Sequence, residues 1–346
     1  MAFHTDIGYF WYGWVGLPFF FVLSGFLITG ILVDSREATN YFSTFYARRS
    51  LRIFPVYYLL LFIVILISIG SKADITDAGL YIFYVQNFKL SYHHFGISFP
   101  RYMNHTWSLA VEEQFYIFFP LMVRYIKPKY LMSFCLFLII AAISTRYILA
   151  QLIPGNEISW ANTVSNLDFL ATGALIAIAV RKYDLTRIRN FSLVLLVACF
   201  GAYALYLRLI LHAGLLEFPF SGAGPQGQAF FALLLPVIAF SIISLVKGKN
   251  LFIRLFFENK FIVYIGKISY GIYLFHFPCF AFTDYYFNHA AHPLIRFNGY
   301  AIALLKFLIT ISLAMISWRY FESRILAFKS KFNYKFLGNE NCAVGG

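Results

Sequence analysis

Arg49 and Arg52 stand three residues apart in the run Arg48-Arg49-Ser50-Leu51-Arg52-Ile53-Phe54-Pro55. On a helix that spacing puts both side chains on one face. Two guanidinium groups side by side suit phosphate oxygens, because each can donate two parallel hydrogen bonds. The blander reading is a positive anchor at the inner membrane boundary. Pro55 suits the first turn of a helix, or a kink that lets the arginines face a cavity. A second group, Trp107-Ser108-Leu109-Ala110-Val111-Glu112-Glu113-Gln114-Phe115-Tyr116, sets two acids and an amide within an apolar segment. Ionisable groups at that depth cost roughly 2.5–3.5 kcal/mol on insertion scales, so function or pairing must retain them. Glu112 and Glu113 are about 100° apart on a helix, so one can face the bundle and the other a structural partner. The competing reading is a buried polar network that locks helices together.

Other positions are weaker on their own. His4 precedes the Gly13-Trp14-Val15-Gly16 start of an apolar segment. A lone histidine is usually structural, but in a membrane helix a neutral imidazole can act as a general base near neutral pH. Ser24 and Gly25 are small residues amid the bulk of Phe19–Ile28. Close helix packing is the default there, and a notch for a ligand's chain is the second possibility. Lys267 and His276 lie near opposite ends of Gly266-Lys267-Ile268-Ser269-Tyr270-Gly271-Ile272-Tyr273-Leu274-Phe275-His276-Phe277-Pro278, with His276 on the acceptor side. Tyr116 is a further polar candidate. Cys135, Cys199, Cys279 and Cys342 show neither disulfide nor zinc spacing, and no metal is expected.

The elements that must position these residues are membrane helices. Of 346 residues, 60% are hydrophobic and 12% charged, too little polar surface to coat a globule in water. Nine apolar segments are each long enough to span, near 14–34, 51–70, 107–126, 131–152, 163–181, 190–211, 228–246, 264–283 and 299–321. The expected class is therefore an all-α integral membrane protein, a polytopic bundle of about nine spans. A shorter stretch, 77–88, reads as re-entrant or interfacial. With it so placed, 20 of the 28 Lys and Arg residues fall on one side of the alternating loops, which marks that side as cytosolic. Residues 1–325 form one membrane domain and 326–346 a short basic cytosolic tail. The net charge of +13 is spread over loops, which argues against nucleic acid and for a membrane or an anionic cytosolic ligand. Segment 14–34 runs from outside to inside. Residues 1–4 therefore read as the end of an earlier helix whose start lies upstream of Met1.

Taken together, GWVGLPFFFVLSGFLIT, YARRSLRIFPVYY, HTWSLAVEEQFY, FLATGALIA, GKISYGIYLFHFP and WRYFESR resemble the acyltransferase-3 family, in the family's order and over almost the whole chain. The resemblance implies a ten-helix membrane domain. It implies transfer of an acyl group, often acetyl in this family, from cytosolic acyl-CoA to a hydroxyl of a cell-surface or lipid-linked glycan. The setting it implies is the bacterial inner (plasma) membrane. The family's first-helix histidine falls on His4, its R-x-x-R on Arg49 and Arg52, and its acidic motif on Glu112 and Glu113. The first-helix arginine would lie upstream of Met1.

On this reading Arg49 and Arg52, with Arg48, hold the phosphates of CoA, and the pantetheine arm passes Ser24. His4 takes the acceptor's proton or relays the acyl group. Glu113 or Glu112 orients the imidazole or the acceptor. The rival is a transporter or flippase of lipid-linked sugars, which also explains intramembrane acids and a basic inner face. An inactive truncated acyltransferase is the third reading.

Overall fold

The structure is a computed structural model that describes residues 16–92, 101–153, 161–184, 186–209, 212, 224–247, 255–287 and 299–337. His4 and the expected upstream helix lie outside the described residues, as does Cys342. The chain is helical: α1 Gly16–Asp34, α2 Tyr41–Gly70, α3 Ala78–Ile82, α4 Gln86–Tyr92, α5 Trp107–Tyr125, α6 Pro128–Leu152, α7 Leu167–Lys182, α8 Thr186–Leu209, α9 Gly224–Lys247, α10 Lys260–Tyr285, α11 Gly299–Ser317 and α12 Ser323–Ala327. Helices occupy each of the nine apolar segments.

Five described helical runs are long and apolar enough to cross a membrane: α1, α2, α6, and the runs Val164–Lys182 and Gly299–Lys331 that contain α7 and α11. At 19 residues α5 is long enough, but it carries Glu112, Glu113 and Arg124. The outside of the bundle is apolar. Ile67, Phe118, Ile140 and Val194 are each more than 60% exposed. Water would penalise such a surface, whereas hydrocarbon accepts it. The chain is an integral membrane protein.

One element differs from the sequence reading for a packing reason, and at another the non-crossing reading of 77–88 holds. The helix bearing the arginines starts at Tyr41 rather than near residue 51, so Pro55 lies in its interior. Tyr41, Thr44 and Phe45 are buried, and the Tyr41 and Tyr46 hydroxyls donate to the Pro120 and Ile117 carbonyls of α5 at 3.2 and 2.8 Å. This added length packs against protein, which apolar run length does not reveal. At 30 residues α2 is about 45 Å long, more than the roughly 30 Å hydrocarbon core. One end must therefore project. Segment 77–88 holds two helices of 5 and 7 residues, neither long enough to cross. They meet at Tyr84, whose φ is 54°. Irregular backbone at membrane depth needs protein around it. Here Gln86 donates to the Thr106 carbonyl (3.1 Å), and Asn87 donates to Thr163 Oγ1 (2.8 Å) and the Ala161 carbonyl (3.3 Å).

The tightest helix contact joins α1 and α7. A Cβ on Gly25 would lie 2.0 Å from the Leu170 carbonyl oxygen, and one on Gly173 would lie 2.0 Å from that of Val22. Only glycine lets the two backbones approach so closely. Gly25 is thus a packing residue, set against the Leu170 backbone. Behind this pair, Arg146 of α6 reaches Asp168 of α7 at 2.7 Å. On the opposite flank α10 packs against α11, where Gly271 meets Ala314 and the carboxylate of Glu322.

Candidate active site

The site is built where α2, α5, α1 and the C-terminal segment meet. Arg49 of α2 lies over the Tyr116 ring of α5, with its guanidinium carbon 4.2 Å from the ring centroid. Arg52, one turn further, lies over Trp318 at 6.0 Å, and Arg48 over Tyr334 at 5.9 Å. Each arginine therefore rests against an aromatic ring. An aromatic ring holds a guanidinium without neutralising it and leaves the N–H edge free to donate. Among the described residues none of the three has an ion-pair partner, and the Nε atoms of Arg48 and Arg49 are buried without a hydrogen bond. Glu322 acts on Arg52 through its field, from the π-helical turn Trp318–Glu322, with Ser317 Oγ donating to its Oε1 at 2.8 Å.

From Arg49 a polar column runs inward along α5. Tyr116, Glu112 and Ser108 are spaced by four residues, and His105 in the preceding 3-10 turn continues the line. At 1.5 Å per residue the column is roughly 17 Å long, about half the hydrocarbon core. The Tyr116 and Ser24 hydroxyls share a short hydrogen bond that ties α5 to α1. Glu112 faces both hydroxyls and also acts on Tyr273 of α10. Tyr273 meets Ser108 Oγ at 2.5 Å and donates to the His105 carbonyl at 2.5 Å. The His105 and His276 rings close the far end, 4.8 Å apart edge to face, with Nδ1 of His276 2.5 Å from the Tyr273 carbonyl oxygen.

The two glutamates do divide their surroundings, as their 100° separation implies. Glu113 faces Arg49, Tyr84 and Tyr270 rather than Ser24. Both are nearly closed off, at 3% and 6% exposed, and the Oε1 atom of each lacks a hydrogen-bond partner among the described residues. Such atoms are costly unless something else completes them. The structural-network reading holds instead for Gln114. Its amide donates to the Tyr84 carbonyl (2.8 Å) and Asn87 Oδ1 (2.9 Å) and accepts from Thr163 (2.5 Å), which locks α4 to α5.

The structure thus brings together Arg48, Arg49, Arg52, Ser24, Tyr116, Glu112 and Glu113. His276 joins the far end of the column through Tyr273. Lys267 is exposed on α10 with no partner among the described residues, and it stays out of the cluster. His4 lies outside the described residues.

A family model described as an acyltransferase domain matches residues 2–319. The chain belongs to the acyltransferase-3 family. Among curated relatives, it is 26% identical over 329 residues to the O-acetyltransferase OatA of Staphylococcus aureus (strain NCTC 8325 / PS 47), covering 90% of this chain and 52% of the relative. It is 28% identical over 350 residues to the peptidoglycan O-acetyltransferase OatA of Listeria monocytogenes, covering 94% of this chain and 53% of the relative. The chain spans about half the length of these relatives. No solved structure matches it.

Within this acyltransferase-3 domain, sequence reasoning missed three residues. His105 escaped because it was read only as part of HTWSLAVEEQFY. The positions 105, 108, 112 and 116 already shared a helical face, a signal that could have found it. Glu322 is an isolated acid in an otherwise basic terminal stretch, and that contrast was legible. Lys329 reaches the arginines by a return of nearly 300 residues along the chain, and no local pattern announces it.

Proposed function

We propose that the chain is the membrane part of an O-acyltransferase that moves an acetyl group from cytosolic acetyl-CoA to a hydroxyl of a cell-wall or lipid-linked glycan. One observation carries the reading: Arg48, Arg49 and Arg52, without an ion pair among the described residues, adjoin through Tyr116 a column holding buried carboxylate oxygens that lack hydrogen bonds among those residues. A positive mouth that opens onto unsatisfied acids suits a ligand with phosphates at one end and a polar reacting group at the other. The relative named for peptidoglycan supports a wall glycan as acceptor. The apolar helical bundle, with its basic loops gathered on one side, supports a bacterial plasma-membrane setting with the C-terminus cytosolic.

In the proposed reaction the arginines hold the donor's phosphates, and the pantetheine arm enters beside Ser24 and Tyr116. The acceptor oxygen attacks the thioester carbonyl while His4 takes its proton. The tetrahedral species collapses, the C–S bond breaks, the CoA thiolate leaves and is protonated, and an ester remains on the glycan. Glu112 orients the imidazole or the acceptor hydroxyl. Transfer through an acyl-histidine is the alternative route. Membranes containing the protein, given acetyl-labelled acetyl-CoA, should transfer label to glycan, and His4→Ala should abolish the transfer. Full transfer by that variant would sink the assignment of His4. Glycan movement across the membrane with no covalent change would favour the transporter reading.

A further inference from the structure

The segment after α11 does not trail away from the bundle. It folds back onto the start of α2, the helix that carries the three arginines. The Thr39 amide donates to the Lys335 carbonyl at 2.9 Å, Asn40 Nδ2 to the Asn333 carbonyl at 2.8 Å, and the Lys335 amide to Asn40 Oδ1 at 2.9 Å. Asn333 Nδ2 donates in turn to the Ser330 carbonyl at 3.1 Å. Tyr334 is buried, and Arg48 rests against its ring. At the other end of the segment, Trp318 seats Arg52. Anchored on both sides, the short 3-10 turn Phe328–Lys331 is held against α2, and Lys329 stands in the field of Arg52, Arg49 and Arg48. Lys329 is half-buried and has no ion-pair partner among the described residues. A fold that gathers a fourth cation beside three others, with Glu322 acting on Arg52 but no ion pair to any of the four among the described residues, is costly unless a polyanion binds there.

We propose that Lys329 is a phosphate-binding residue of this site, and that the group it takes is the 3′-phosphate of the acyl-CoA ribose. The assignment rests on the donor reading given above. Acyl-CoA has a diphosphate, from which the pantetheine arm departs, and a separate monoester phosphate on the ribose. Arg49 sits where the polar column begins, so the diphosphate belongs to the arginine forks, whose paired N–H groups match adjacent oxygens. The ribose then hangs on the side away from the column, toward the docked tail. A compact ammonium on a flexible stem suits a monoester that presents three equivalent oxygens. A lipid headgroup phosphate shares this chemistry, and the test separates the two sources.

The experiment is equilibrium binding of acetyl-CoA, and of acetyl-dephospho-CoA lacking the 3′-phosphate, to the intact protein in phosphatidylcholine nanodiscs. Lys329→Met should lower acetyl-CoA affinity by about tenfold or more, the size of one charge-assisted hydrogen bond. It should leave acetyl-dephospho-CoA affinity unchanged, so that the mutant no longer tells the two apart. Lys329→Arg should restore most of the discrimination. Equal loss for both ligands would overturn the 3′-phosphate assignment, and so would no loss for either. A Lys329→Met effect that appears only in nanodiscs containing phosphatidylglycerol would overturn it in favour of a lipid headgroup. Wild-type protein that binds neither ligand would sink the donor reading itself, and this assignment with it. Lys329→Gln, which keeps a polar tip, serves as a second neutral variant should Lys329→Met fail to accumulate.

Discussion

Arg146 of α6 donates to Asp168 at 2.7 Å and to the Ser165 carbonyl, with the Phe169 and Phe231 rings on either side at 5.3 and 5.2 Å. Arg49 of α2 also rests on a ring, that of Tyr116, but no carboxylate pairs with it among the described residues. The first arginine is 2% exposed and its partner 0%, a closed pair that no solute reaches. The second lies in a group of like charges at the end of the bundle. An intramembrane charge is a functional candidate by default, yet these two differ in kind. Where the counter-charge is built into the fold, the arginine joins helices. Where aromatic rings hold the guanidinium and no acid pairs with it among the described residues, its N–H edge stays open to an anion.

This contrast is easiest to break at the arginines. Arg49→Ala with Arg52→Ala should reduce acetyl-CoA affinity by roughly two to four orders of magnitude, from about 1.5–3 kcal/mol for each charge-assisted hydrogen bond. Membrane insertion and thermal stability should stay close to wild type, because neither side chain has an ion-pair partner to strand among the described residues. Binding assays beside thermal unfolding in detergent would show it. Unchanged affinity, or a stability loss as large as the binding loss, would put these arginines in the same class as Arg146.

The opposite profile is expected at the closed pair. Asp168→Asn should destabilise the protein by about 3–5 kcal/mol by leaving Arg146 buried without its counter-charge. The combination Arg146→Met with Asp168→Leu should recover most of that loss, since apolar residues of similar size can replace a buried pair. Folded yield and thermal midpoint are the readouts. If the apolar pair folds but transfers no acetyl group, the pair has a role in the chemistry and the contrast fails.

A smaller effect sharpens the comparison at its edge. Burial, and then the neighbouring Arg52, Arg49 and Arg48, lower the Lys329 ammonium below the usual lysine range to about 8. The charged form is the one that binds phosphate. It is present below about pH 8 and lost above it, so acetyl-CoA affinity should weaken severalfold between pH 7 and pH 9. Lys329→Arg should flatten that profile, because arginine stays charged throughout. The Arg146–Asp168 pair, sealed from solvent, should contribute no change in binding over the same range. An identical pH profile in wild type and Lys329→Arg would show that Lys329 does not govern it.

Much of this was legible in the sequence, for reasons of period and cost. Long apolar runs must become helices in lipid, because hydrocarbon offers no other partner for backbone groups, so the helices fall where the runs lie. The three-residue spacing of Arg49 and Arg52 fixes a shared face, and the adjacency of Glu112 and Glu113 fixes a divided one. The order of the motifs already pointed to the acyltransferase-3 family. What the sequence left open was company. Ser24 and Gly25 had two readings, and only the backbone of Leu170 decides that Gly25 packs while Ser24 turns to Tyr116. Arg48, Arg49, Arg52 and Arg146 are alike as letters, and whether an acid waits opposite depends on which helices meet. The gathering of Trp318, Lys329 and Tyr334 around the arginines comes from a chain return held by hydrogen bonds to Thr39 and Asn40. Local period encodes which face a residue takes, whereas long-range contact decides what that face meets.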